Sequence, residues 1–170
     1  MSKRETLDQM LGWLDAASTR FRPKDSGLVD RGLQAAELYA EVSSEDRCSV
    51  SKEISAQLGR KLLSVSGFMA EKAINSNEGK WVRGALLLHL INDFRDDYRD
   101  NFRYLVLVNY ASNKIGLSMG DMIDSVIPFA SNRSRDFLRD FSKRDDKLNE
   151  LACFGVREDV VDGMSKFVPS

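Results

Sequence analysis

Apolar residues recur every three or four positions along most of this chain, and that spacing constrains its fold more than any other feature. Near the N-terminus Leu7, Met10, Leu11, Leu14, Ala17 and Phe21 form one such series. An α-helix turns once per about 3.6 residues, so these side chains share a face and need a neighbour to bury against. Phe21-Arg22-Pro23 stops the series, because proline lacks an amide and clashes with the preceding turn. A second series holds Leu28, Val29, Leu33, Ala36, Tyr39 and Ala40. Ser43 and Asp46 then stand at near capping-box spacing, which signals a helix start. Val50, Ile54, Leu58, Leu62, Val65, Met69 and Ala73 predict one long helix, ended by Asn75-Ser76-Asn77. From about Lys80 to Asp96 a further helix is apolar almost all round between Ala85 and Ile91. A helix of that kind is enclosed by others.

Phe102, Leu105, Val106, Tyr110 and Ile115 predict the next helix, with Gly116 just beyond its end. Ser118 to Asp121 opens another, carrying Met122, Ile123, Val126 and Ile127, which Pro128 should end or kink. Phe137, Leu138, Phe141, Leu148, Leu151 and Ala152 predict a further helix; Val156, Val160, Met164 and Phe167 predict a short last one. Trp13 and Trp81 each sit in an apolar stripe and read as core residues. Leu105 to Val108 is the strongest strand-like run, yet its flanks continue a helical stripe. The expected fold is all-α: a compact multi-helix bundle of about seven to eight antiparallel helices, with long central helices near 50–75 and 80–96. A length of 170 residues suits one helical domain over 1–170, with a minor boundary near 128–133.

Composition removes several classes. Lys and Arg number 25 against 26 Asp and Glu, for a formal net charge of −1. No general attraction for polyanions follows, so nucleic acid is not an expected partner. The longest strongly apolar run, about Gly84 to Ile91, is far short of the roughly 20 residues that cross a bilayer. No uninterrupted apolar segment follows the basic start at Lys3 and Arg4, so neither a secretory signal nor a membrane partner is expected. Cys48 and Cys153 are isolated and read as reduced thiols in a cytoplasmic protein, with a single Cys48–Cys153 bridge as the alternative. One histidine and two cysteines give no zinc-type ligand set, and no metal or other cofactor is expected.

Three short stretches resemble known motifs. Ser55, Gly59 and Val65 match the spacing of the helix-turn-helix of bacterial repressors, which would imply a DNA-binding regulator with a bend at Gly59. Arg60 stands where that family keeps an apolar residue, and Leu62 and Leu63 fall where polar side chains would meet base edges. Asp96-Asp97-Tyr98-Arg99-Asp100 resembles the aspartate-rich motif of isoprenoid synthases, whose carboxylates hold magnesium. The chain is much shorter than those enzymes, carries no second such motif, and interleaves the acids with Arg95, Arg99 and Arg103. Arg83 and His89 resemble the R-x(4–6)-H signature of HEPN ribonucleases, which would imply phosphate stabilisation by the arginine and acid–base chemistry by the histidine. Gly84 replaces the usual polar residue, and His89 lies in an apolar run that suits a core histidine.

What remains is dense charge around aromatic residues. Seven of the eleven residues from Asp93 to Arg103 are charged, with Phe94, Tyr98 and Phe102 among them. Ten of the fifteen from Arg133 to Lys147 are charged, around Phe137 and Phe141. Such surfaces suit a protein interface. The expected function is a non-enzymatic, protein-binding helical domain of adaptor, inhibitor or toxin-neutralising type. Its expected partner surface comprises Asp93, Arg95, Asp96, Asp97, Tyr98, Arg99, Asp100 and Arg103. The partner is another protein of unspecified identity, and a homodimer stays open. The HEPN-like ribonuclease using Arg83 and His89 and the helix-turn-helix regulator are the alternatives.

Overall fold

The computed structural model describes residues 1–17, 26–95 and 98–143, without the side chains of Ser26, Tyr98 and Arg99. Among the described residues every regular element is helical. In chain order they are α1 (Lys3–Ala16), α2 (Ser26–Glu41), α3 (Ser44–Glu53), α4 (Ala56–Ser76), α5 (Gly79–Asn92), α6 (Tyr98–Lys114), α7 (Met119–Val126), a 3-10 turn over Ile127–Phe129, and α8 (Asn132–Lys143). The all-α bundle read from the spacing is the observed architecture.

Serine starts many of these helices. The hydroxyls of Ser2, Ser43, Ser55 and Ser118 each accept from the amide three residues on, at 3.1–3.2 Å. Each satisfies a donor that the helix itself leaves unpaired, and such a cap stabilises by about 1 kcal/mol. Asn77 closes α4 in the left-handed conformation, as the Asn75-Ser76-Asn77 punctuation predicts. Gly116, at φ 80°, follows α6, and Pro128 sits in the 3-10 turn that ends α7.

Two helix boundaries differ from the sequence reading. The single helix expected from residue 50 is two: Ile54 and Ser55 are extended, and Ser55 caps a new helix. The apolar series runs through the break because Val50 of α3 and Leu58 of α4 are buried in the same core. Periodicity cannot reveal an interruption that keeps the phase of the buried face. The helix expected to reach residue 96 ends at Asn92, where Asp93 and Phe94 turn left-handed. Trp13 is also not a core residue. It is 42% exposed, and the Arg31 guanidinium lies 3.8 Å from its ring centre, a cation–π contact at the surface. Trp81 is buried as expected. The stop at Phe21–Pro23, the residues from Leu148 to Ala152, the last helix at 156–167 and Cys153 lie outside the described residues.

The central element is α5, which packs against α2, α4, α6 and α7. Leu86, Leu87, Leu88 and Ile91 are fully enclosed there. Glycines let the neighbours come close. A Cβ on Gly32 of α2 would lie 2.6 Å from Val65 Cγ1, and one on Gly84 of α5 would lie 2.6 Å from Leu33 Cδ1. At Gly32 the obstacle is a stiff β-branched side chain in a helix. Gly32→Ala gains about 1 kcal/mol of helix propensity, but overpacking costs roughly 1–3 kcal/mol. The expected net result is a loss of about 1 kcal/mol. Gly12, with nothing within 4 Å of its would-be Cβ, is the control. Gly12→Ala should stabilise by up to about 1 kcal/mol, and parallel thermal melts of the two variants check both signs.

Side chains also fasten the helices. Lys61 of α4 donates its ammonium protons to the carbonyls of Asp15 and Ala17, the latter at 2.8 Å, and so covers the end of α1. Arg4 of α1 reaches the Asp46 carbonyl at 3.3 Å and the Glu53 carboxylate at 2.9 Å, holding α1 to α3.

Candidate functional site

The turn after α5 is the most strained stretch of backbone in the described residues, and it carries two of the expected site residues. Asp93 and Phe94 have φ of 57° and 49°. Aspartate enters this region readily, whereas a bulky residue does so at a cost of about 1–3 kcal/mol. Burial of Phe94 offsets that cost. Its ring stacks on His89 at 5.4 Å and on Phe137 of α8 at 4.2 Å. Asn101 of α6 accepts from the Asn92 amide at 3.4 Å and donates to the Arg95 carbonyl at 3.0 Å. The turn is thus pinned from both sides, and Asp93 and Arg95 line a surface cleft instead of continuing a helix.

Asp93 also fixes the start of α8. Its Oδ1 accepts from the hydroxyls of Ser131 and Ser134, the second at 2.6 Å. Ser131 in turn accepts from the Ser134 amide at 3.1 Å. This places Arg133 and Arg135 in the same cleft wall as Pro128 and Phe129. Helix α3 contributes Arg47 and Lys52 to the lining. The open cleft has a volume of about 690 Å³.

The electrostatics are one-sided. Among the described residues Arg47, Lys52, Arg95, Arg133 and Arg135 line the cleft, with Asp93 as the one carboxylate. None of the five cations forms an ion pair among the described residues. Arg47 donates to the Val42 carbonyl, and Arg95 Nε to the Asn92 carbonyl at 3.4 Å. Arg95 Nη2 and Arg135 Nε are buried without a hydrogen-bond partner among the described residues. The Phe129 ring has the Arg47 guanidinium at 5.4 Å and that of Arg83 at 5.7 Å. Tyr39 completes the lining. Burial raises its phenol above the usual range, opposed by its 3.1 Å hydrogen bond to Ser51, so it stays neutral. A concentration of unpaired positive charge in a recess attracts anions and focuses their approach.

The expected partner surface is therefore divided. Asp93 and Arg95 belong to the cleft, while Asp100 and Arg103 of α6 pair with each other at 3.7 Å and do not line it. Asp96 and Asp97 lie outside the described residues, as do the side chains of Tyr98 and Arg99. Arg133 and Arg135 fall in the second charged run of the sequence. Arg47 and Lys52 carried no signal: each is an isolated cation on a short helix whose position only packing reveals.

The geometry of the resembling motifs differs from what those families need. Gly59 lies inside α4, which is unbroken from Ala56 to Ser76, and Leu62, Leu63 and Val65 are buried away from any base edge. His89 is fully buried, with Nε2 3.4 Å from Ser66 Oγ, while Arg83 sits partly exposed over Phe129 on the same unbroken helix. Burial pushes the His89 pKa down to about 4, with the Asn101 side chain opposing. A neutral, enclosed imidazole has no path for proton exchange with a substrate. Among the described residues no three potential metal ligands gather, and no helix is long and apolar enough to cross a membrane.

Comparison with protein-family models, with curated proteins and with solved structures finds no match to this chain.

Proposed function

We propose that this chain is a non-catalytic protein-binding domain, and that its basic cleft receives an acidic segment of the partner. One observation carries the reading: among the described residues five cationic side chains and a single carboxylate line a recess of about 690 Å³, and none of the five is neutralised by an ion pair. Surface cations are ordinarily interspersed with acids, as Arg4 is with Asp8, Asp46 and Glu53. Here the chain as a whole is slightly acidic, so the concentration is local. Arginine also suits this role because its planar fork meets carboxylates with two parallel donors.

The test uses an immobilised dodecapeptide library with Asp and Glu fixed at central positions and degenerate flanks. The wild-type chain should bind a subset of these peptides, and binding should weaken as salt rises. Reversing Arg95 and Arg133 together, as R95E/R133E, should weaken binding at least tenfold, a loss of about 1.4 kcal/mol or more. Arg103→Glu, on a residue outside the cleft lining, should change it by less than twofold. Equal losses in the two variants would relocate the interface to the whole charged face, and salt-insensitive binding would remove the electrostatic basis of the reading.

A further inference from the structure

We infer that the preferred occupant of the cleft is a phosphorylated side chain on the partner protein, an inference that rests on the protein-docking reading above. One guanidinium meets both oxygens of a carboxylate with two parallel donors and balances its single charge. This cleft gathers Arg47, Arg95, Arg133 and Arg135 from three separate stretches of the chain, more positive charge than a single carboxylate balances. A phosphate monoester carries nearly two negative charges at neutral pH and three strong acceptor oxygens. It can therefore engage two or more guanidiniums at once.

The arginines have donors to spare. Arg95 Nη2 and Arg135 Nε are buried with no hydrogen-bond partner among the described residues. Both residues line the recess, and an anion with several acceptor oxygens offers partners to whichever guanidinium nitrogens face that space. The first turn of α8 lies in the same wall, with the positive end of its peptide dipole there. Asp93 opposes an anion, but its Oδ1 is already engaged by Ser131 and Ser134, and the cations outnumber it. A phosphate group fills only a small part of 690 Å³. The remainder, beside Pro128 and Phe129, has room for residues flanking the modified one.

Polynucleotides present the same group. They need a track of cations to follow the backbone, whereas these five are confined to one recess of a chain with net charge −1. The observations favour a protein-borne phosphate.

The experiment measures binding of the full chain to three versions of the dodecapeptide library, identical except for a central phosphoserine, glutamate or serine. Inorganic phosphate and a twelve-nucleotide oligouridylate serve as competitors. The phosphoserine library should bind at least tenfold more tightly than the glutamate library. That advantage should fall to less than threefold in R95Q/R135Q. Should that double variant fail to fold, Arg133→Gln, on an exposed side chain, should reduce the same ratio. Equal affinity for phosphoserine and glutamate overturns this inference and leaves the docking reading standing. Absence of binding to every acidic library overturns both. Competition by inorganic phosphate at the peptide's own concentration assigns the cleft to free phosphate, and stronger competition by the oligouridylate assigns it to RNA; either overturns the inference.

Discussion

Leu87→Ala is expected to lower the free energy of unfolding by about 3–5 kcal/mol. Leu87 is fully buried on α5, the helix that packs against α2, α4, α6 and α7. Removing its isobutyl end forfeits the transfer free energy of the lost carbons. It also leaves a cavity, because helices held on several sides cannot collapse into the gap. A domain of this size has a total stability of about 5–15 kcal/mol, so the variant should sit near the edge of folding. Urea unfolding followed by circular dichroism gives the number. A loss below about 1 kcal/mol would mean that α5 is not enclosed and that the core is centred elsewhere. Leu88→Ala and Ile91→Ala, at equally buried positions of the same helix, should behave alike.

Acid should unfold this protein earlier than its carboxylates alone would dictate. His89 is fully buried, and desolvation brings its pKa from 6.5 to about 4. The unfolded chain therefore binds a proton between these values that the folded chain refuses. Stability linked to His89 is fully present above about pH 6.5 and is lost as pH falls toward the folded pKa. A depression of this size corresponds to a loss of about 2 kcal/mol between pH 7 and pH 5, and about 3 kcal/mol by pH 4. The measurement that isolates it is the difference in unfolding free energy between wild type and His89→Gln at each pH, since other titrating groups cancel. That difference should shrink on acidification. A difference independent of pH would show that the imidazole is reached by water or holds its proton in the fold. The consequence extends to the cleft, because the ring of Phe94 stacks on His89 and the same turn carries Asp93 and Arg95. Charging the imidazole would loosen the support of that turn as well as the core.

Much of the helical layout was legible in the residues because local physics fixes it. Ser43 and Ser118 cap their helices where the spacing to Asp46 and Asp121 says they should. Asn77 and Gly116 end helices in left-handed conformations as their residue types suggest. The apolar run from Ala85 to Ile91 is the enclosed helix. Failures came where two readings of one pattern have the same period. Ile54-Ser55 breaks a helix without shifting the buried face, and Trp13 fits an apolar stripe yet finds Arg31 at the surface. The end of α5 escaped notice because Phe94 occupies a backbone region that sequence statistics disfavour and only its ring contacts stabilise.

The spacing of apolar side chains, read in one dimension, determined that this polypeptide is helical and which helix is innermost, since each helix face is a local property with a fixed repeat. The tertiary structure alone decided where positive charge accumulates. Arg47 and Arg135 are separated by more than half the chain, and no local rule relates them. They meet because α3, the turn at Asp93 and the start of α8 are brought around one recess by packing, and Coulomb forces depend on distance in space and not on distance along the sequence.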